Sequence, residues 1–168
     1  TYTYYDANGR AIRVRDPNGH SSVRHYDEAG QLVAEYDGAG GVVKHQYDAL
    51  GRETARIDAT NQITHYSYDR NNRLVKDQLL LSANHYSYDE ADNRIRVTNG
   101  ENESTDYFYD TLGNLVMTRL AEVQSGGNSR DYTTATYDAQ GRKITEGNGN
   151  GDSQSWTYNY FGQLIDHK

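Results

Sequence analysis

Hydrophobic and polar positions alternate along this chain in runs of six or seven residues. Turn residues break the alternation every 10 or 11 positions in the early part of the sequence. Such runs are too short for a helix and suit a strand. The breaks are periodic. Tyr5-Asp6-Ala7-Asn8-Gly9-Arg10 returns as Tyr26-Asp27-Glu28-Ala29-Gly30-Gln31 and as Tyr47-Asp48-Ala49-Leu50-Gly51-Arg52, and recurs to the end. The marker tyrosines are Tyr5, Tyr26, Tyr47, Tyr68, Tyr88, Tyr109, Tyr137 and Tyr158, with gaps of 21, 21, 21, 20, 21, 28 and 21. Repeats therefore start near residues 3, 24, 45, 66, 86, 107, 135 and 156.

The residue after the marker is Asp6, Asp27, Asp48, Asp69, Asp89, Asp110 or Asp138, and Asn159 in the last copy. Four residues after the marker stands Gly9, Gly30, Gly51, Gly113, Gly141 or Gly162. The two exceptions, Asn72 and Asp92, are among the non-glycine residues that best tolerate positive φ. The position is thus expected to need a left-handed backbone, closing a type I turn that the Asp side chain caps. A weaker turn follows half a repeat later, as Asp16-Pro17-Asn18-Gly19, Asp37-Gly38-Ala39-Gly40 and Asp58-Ala59-Thr60-Asn61, and it blurs in later copies.

Each repeat then reads as a two-stranded hairpin. The fold class is all-β: an antiparallel meander of about eight hairpin repeats over residues 1–168. Short turns force neighbouring hairpins to pair side by side. With strands about 4.8 Å apart, such a strip is on the order of 75 Å long, and strand twist should make it curved or spiralling. The long gap before Tyr137 predicts an extended hairpin loop over residues 121–134.

Seven residues after each marker comes Ile12, Val33, Thr54, Val75, Ile95, Val116, Ile144 or Ile165, all β-branched. This is expected to be a buried stripe, or one that packs along the strip. Two residues before four of the markers stand Tyr66, Tyr86, Tyr107 and Trp156, set for aromatic ladders.

Composition limits the chemistry. Hydrophobic content is 35% with a mean hydropathy of −1.00, poor for a conventional core, but 16 Tyr at a fixed phase and a single Pro argue against disorder. Net charge is −7, and basic residues fall singly along the chain, which disfavours a nucleic-acid partner. There is no cysteine for a disulfide or a thiolate metal site. The longest apolar run, Leu79-Leu80-Leu81, is too short to span a membrane. Thr1-Tyr2-Thr3-Tyr4-Tyr5 looks like mid-strand rather than a signal peptide, so the chain is expected to begin inside a larger protein.

Candidate sites are few. His45, His65 and His85 recur at intervals of 20, too far apart along a strip to share a metal ion. Asn148-Gly149-Asn150-Gly151-Asp152 has the composition of a calcium turn but stands alone. Trp156, Tyr158 and Tyr160 are the best candidates for stacking on a sugar ring. No nucleophile–base arrangement, phosphate loop or cofactor motif is evident, so the expectation is a non-enzyme without cofactor or metal.

Tyr-Asp-x-x-Gly-Arg at about 21 residues, clearest in Tyr47–Arg52 and Tyr137–Arg142, resembles the YD repeat of the rearrangement-hotspot (Rhs) family. That family includes bacterial polymorphic toxins, toxin-complex C components, wall-associated proteins and teneurins. The resemblance implies a secreted or delivered bacterial β-shell enclosing a C-terminal toxin. The partners would be neighbouring repeats of the same shell and the enclosed toxin. The shells of the bacterial toxins carry an aspartyl autoprotease with paired Asp-Pro-x-Gly motifs. Asp16-Pro17-Asn18-Gly19 is a lone copy at a second-turn position, so it reads as an ordinary turn. The alternative implied function is a surface module that binds glycans or cells.

Overall fold

In the computed structural model, residues 1–120 and 132–168 are described. Among these residues sixteen strands follow chain order, and neighbouring strands pair antiparallel within each of two units. The chain divides into two compact units, Thr1–Ala83 and Asn84–Lys168. The first holds β1 (Tyr2–Tyr5), β2 (Ala11–Arg15), β3 (Ser21–Tyr26), β4 (Leu32–Tyr36), β5 (Val42–Tyr47), β6 (Glu53–Ile57), β7 (Ile63–Tyr68) and β8 (Leu74–Leu79). β9 (Ser82–Tyr88) begins two residues before the boundary and lies mostly in the second, which continues with β10 (Arg94–Thr98), β11 (Ser104–Tyr109), β12 (Leu115–Leu120), β13 (Tyr132–Tyr137), β14 (Lys143–Asn148), β15 (Ser153–Tyr158) and β16 (Leu164–His167). The sequence-derived hairpins and their order match this arrangement. Of the anticipated 121–134 loop, residues 132–134 belong to β13, and 121–131 lie outside the described residues.

Every marker Tyr ends an odd-numbered strand, and a five-residue connection leads to the next strand. In the first connection Gly9 N–H donates to Asp6 O (3.0 Å) and Asp6 N–H to Arg10 O (2.9 Å). φ is +77° at Gly9, +82° at Gly51, +65° at Asn72 and +66° at Asp92. Asn and Asp thus take the same left-handed backbone as the glycines they replace. The second connections among the described residues use the same plan, including copies that blur in sequence: Asn102 has φ +63° and Gly151 +92°. The fourth repeat departs from it. There β8 and β9 are joined by Leu80-Leu81 alone, with Leu80 at φ +55°. The 20-residue gap before Tyr88 follows directly, because a connection three residues shorter is offset by two strands each one residue longer.

The β-branched stripe has a role that periodicity did not reveal. Tyr26 pairs with Leu32 and His25 with Ala34, which leaves Val33 unpaired in a β-bulge. The same break leaves out Ile12, Thr54, Val75, Ile95, Val116, Ile144 and Ile165. The expected burial of this stripe is therefore corrected: six of these side chains are half-buried, and Ile95 and Ile165 are exposed. An extra residue in one strand of a pair bends that strand and raises its right-handed twist. Each hairpin thus carries its own bend at a fixed place.

Among the described residues the buried apolar side chains are Ala34 and Ala55, and no large side chain is fully enclosed. Cross-strand pairing sorts the rest onto two faces. The tyrosine face carries Tyr26, Tyr47 and Tyr68 with Arg24 opposite Glu35 and Tyr66 opposite Asp77. The reverse face carries rows such as Arg13–Val23–Tyr36 and Ala34–Lys44–Ile57.

Gly51 tests the turn geometry. A Cβ at this position would lie 3.0 Å from Gln31 Nε2, and its φ of +82° disfavours a β-branched side chain. Gly51→Val is expected to destabilise the hairpin by about 1–3 kcal/mol, with faster amide exchange over residues 45–58. Unchanged exchange would show that the left-handed turn is not required.

Candidate functional site

The chemistry of the repeat motif is concentrated at the joint between one hairpin and the next. Asp6 Oδ1 accepts the amides of Asn8 and Arg10, each at 2.9 Å. Its Oδ2 accepts Arg10 Nε at 2.6 Å. Asp48 with Arg52, Asp69 with Arg73 and Asp138 with Arg142 repeat this ion pair. Where the sixth motif residue is Asn93 or Asn114, its amide donates to Asp89 or Asp110 at 2.9 Å. In the last copy the polarity inverts, and Asn159 Nδ2 donates to Gln163 Oε1 at 2.8 Å.

The turn then reaches forward. The Arg10 guanidinium lies 4.7 Å above the Tyr26 ring, Arg52 4.8 Å above Tyr68, and Arg142 4.7 Å above Tyr158. Arg52 Nη1 also donates to Asn72 Oδ1 at 2.9 Å. The marker Tyr completes the joint by donating its hydroxyl to a carbonyl in the preceding repeat: Tyr47 to Leu32 O (2.9 Å), Tyr68 to Glu53 O (2.8 Å) and Tyr137 to Leu115 O (2.9 Å). Tyr26, Tyr109 and Tyr158 do the same with Ala11, Arg94 and Lys143. The turn glycine has a second use here. A Cβ on Gly30 or Gly162 would meet the preceding guanidinium at 3.1 and 3.2 Å.

Electrostatics follow from these bonds. The Arg10 amide, with help from its guanidinium, holds Asp6 below the usual carboxylate range. At Asp48 the Arg52 guanidinium is the leading cause and its amide the next. The deepest shift is at Asp106 on β11, which is only 8% exposed. Arg96 Nε lies 2.5 Å from its Oδ1 and Arg119 Nη2 2.8 Å from its Oδ2, one on each neighbouring strand. Arg96, opposed by burial and assisted by Arg119, brings Asp106 down to about 2 from 3.8. This row is invisible in a linear reading because its members are 10 and 13 residues from Asp106.

The remaining candidates are dispersed. His45 stands two residues before its marker on the tyrosine face, bonded to Glu53 (2.6 Å), whereas His65 and His85 stand three residues before theirs, on the reverse face. No group of three His, Cys, Asp or Glu side chains suited to a metal occurs among the described residues. Asn148 Oδ1 accepts the amides of Asn150 and Asp152, and Asn148 Nδ2 donates to Asp152 Oδ2 (3.0 Å), so these groups close the turn on itself. In Asp16-Pro17-Asn18-Gly19, Gly19 donates to Asp16 O as in the other turns. The sugar-stacking candidates do not form one platform. Trp156 stacks on His167 at 5.2 Å and Tyr158 lies under Arg142, while Tyr160 sits in the turn, 97% exposed and edge-on to Phe161.

A model of the RHS repeat matches residues 5–43 and 47–78. Over these residues the chain matches the Rhs repeat. Its fold is shared with solved toxin-complex chains. A TcdB2–TccC3 structure lacking its hypervariable C-terminal region superposes with a TM-score of 0.78 at 20% identity, over 97% of this chain and 10% of that one. TcdB2–TccC3–Cdc42 gives 0.75 at 15% identity, over 98% and 11%. The Photorhabdus luminescens Tc holotoxin pore with a TccC3 substitution gives 0.74 at 16%, over 90% and 9%. The chain therefore spans about a tenth of the chains it matches. No curated protein matches the sequence.

Two outcomes follow for the Rhs joint. Arg52→Ala removes the ion pair, the ring contact and the bond to Asn72, and should lower stability in urea melts by about 1–2 kcal/mol. Gln31→Ala at the equivalent site of another copy should cost less than about 0.5 kcal/mol, and equal losses would refute the bridging role of the guanidinium. The acid response has a definite sign. The lowered carboxylates contribute fully above their unfolded value near 3.8, and the contribution fades as pH falls, down to about 2 for Asp106. Thermal melts should show the midpoint falling between these limits, with Asp106→Asn flattening the lower part; a midpoint constant below pH 4 would contradict the assignment.

Proposed function

We propose that this chain is a non-catalytic wall segment of an Rhs shell that encloses a C-terminal toxin or effector for delivery outside the producing bacterium. The observation that carries the reading is the direction of the motif's contacts: its Asp, its Tyr and, where the copy has one, its Arg bond within the turn or to the adjoining repeat. A motif used in this way propagates a sheet instead of assembling a reaction centre. The likeness in fold to the TcdB2–TccC3 chains supports the same reading. The partners are further repeats of the same shell and the enclosed chain.

A second reading, a module binding glycans or cells, draws on Tyr160 and Phe161, which stand exposed at a turn. Protease protection separates the two. In the full-length protein, the segment C-terminal to the repeats should survive a protease dose that digests the same segment expressed alone. Equal digestion would reject enclosure. Retention on a glycan array that Tyr160→Ala abolishes would favour the second reading.

A further inference from the structure

The two faces of the first unit differ in how their charges are balanced. On the tyrosine face, Arg24 pairs with Glu35 at 2.9 Å and His45 with Glu53 at 2.6 Å, and Asp77 adds another acid. On the reverse face the strand register gathers Arg13 and Arg15 of β2, Lys44 of β5 and Lys76 of β8, together with His25 and His65. No strand residue of β1 to β8 on this face is acidic. Arg13, Arg15 and Lys44 are exposed. Arg13 contacts only uncharged groups, the Ser21 hydroxyl at 3.2 Å and the Tyr4 ring at 6.0 Å. The floor between the cations is neutral or apolar, with Val23, Ala34, Val42, Ala55 and Ile57. Four uncompensated cations thus share one sheet face in a protein whose net charge is −7. The linear sequence hides this, because face membership depends on strand register and on a bulge in each even strand.

We infer that the reverse face of the first unit is a docking surface for an acidic polypeptide segment in extended conformation. Charge complementarity selects the class. Lys44 lies three strands from Arg13 and three from Lys76, or about 14 Å each way. An extended chain crossing the strands places side chains of one face about 7 Å apart, so every second such side chain reaches the next cation. The neutral floor accepts the intervening residues. A nucleic acid fits less well. Asp6, Asp27, Asp48 and Asp69 line one edge of the unit, and Asp16, Asp37 and Asp58 the other, so a polyphosphate broad enough to cover the face would meet negative rims. The surface does not depend on whether the chain walls a cargo.

The test uses the full chain and a fluorescein-labelled peptide of alternating Glu and Ser, read by anisotropy. Binding is expected to weaken about tenfold between about 50 and 500 mM NaCl, and by at least about tenfold in Arg15→Glu/Lys44→Glu. Arg56→Glu, a control on the tyrosine face, should leave binding within about twofold. Arg15→Gln/Lys44→Gln, with strand content checked by circular dichroism, should give a smaller loss in the same direction. Absence of binding, or equal loss with Arg56→Glu, overturns the surface. Tighter binding of an oligodeoxythymidine or of phosphatidylserine vesicles overturns the polypeptide assignment.

Discussion

The hairpins of this sheet are closed by a carboxylate or amide oxygen. In every copy but the second, where Asp27 accepts only the amide of Gln31, it accepts two backbone amides, two and four residues ahead of it. Asp48 Oδ1 does so with Leu50 and Arg52, and Asn159 Oδ1 with Phe161 and Gln163. The chain can make that closure only by passing one residue through a left-handed backbone, which explains why the same position is Gly, Asn or Asp throughout. The turn also decides where the arginine sits. With Arg52 fixed by its own Asp48, the guanidinium faces the Tyr68 ring of the following hairpin. Local turn chemistry is thereby converted into a contact between repeats.

This arrangement explains how a sheet with almost no enclosed apolar side chain holds together. Among the described residues, full burial of apolar side chains is confined to Ala34 and Ala55, and the larger ones are at most half-buried. What remains is a uniform set of modest interactions: ladder hydrogen bonds, a cation over a ring, a hydroxyl on a carbonyl. Each is worth about a kcal/mol or less; the ladder bonds and the hydroxyl recur along the array, and the cation lies over the marker ring at Tyr26, Tyr68 and Tyr158. Stability in such an array is a sum over nearest neighbours, with no central cluster whose loss would collapse the whole.

Much of the fold was legible in the sequence because its determinants are local. The positions of Tyr, Asp and Gly were enough to place the strands, their order and the left-handed residues. Features that depend on pairing were not legible. Val33 and Ile144 look like members of a buried stripe until register shows them to be unpaired bulge residues. Asp106 looks like one more strand acid until Arg96 and Arg119 are seen on either side of it. Leu80-Leu81 reads as part of an apolar run, although the shortened repeat around it was already a sign of a tighter turn. The joint itself was half visible: Arg and Tyr recur at fixed spacing, but which ring lies beneath which guanidinium is a property of the assembled sheet.

Because each joint involves only adjoining copies, the number of copies is chemically neutral. Inserting or deleting one whole period between Tyr47 and Tyr68 would leave an Asp facing its own Arg and an Arg facing the next Tyr, with no orphaned group on either side. A lineage can therefore lengthen or shorten such an array by duplication and recombination within its gene, changing its reach without redesigning a single contact.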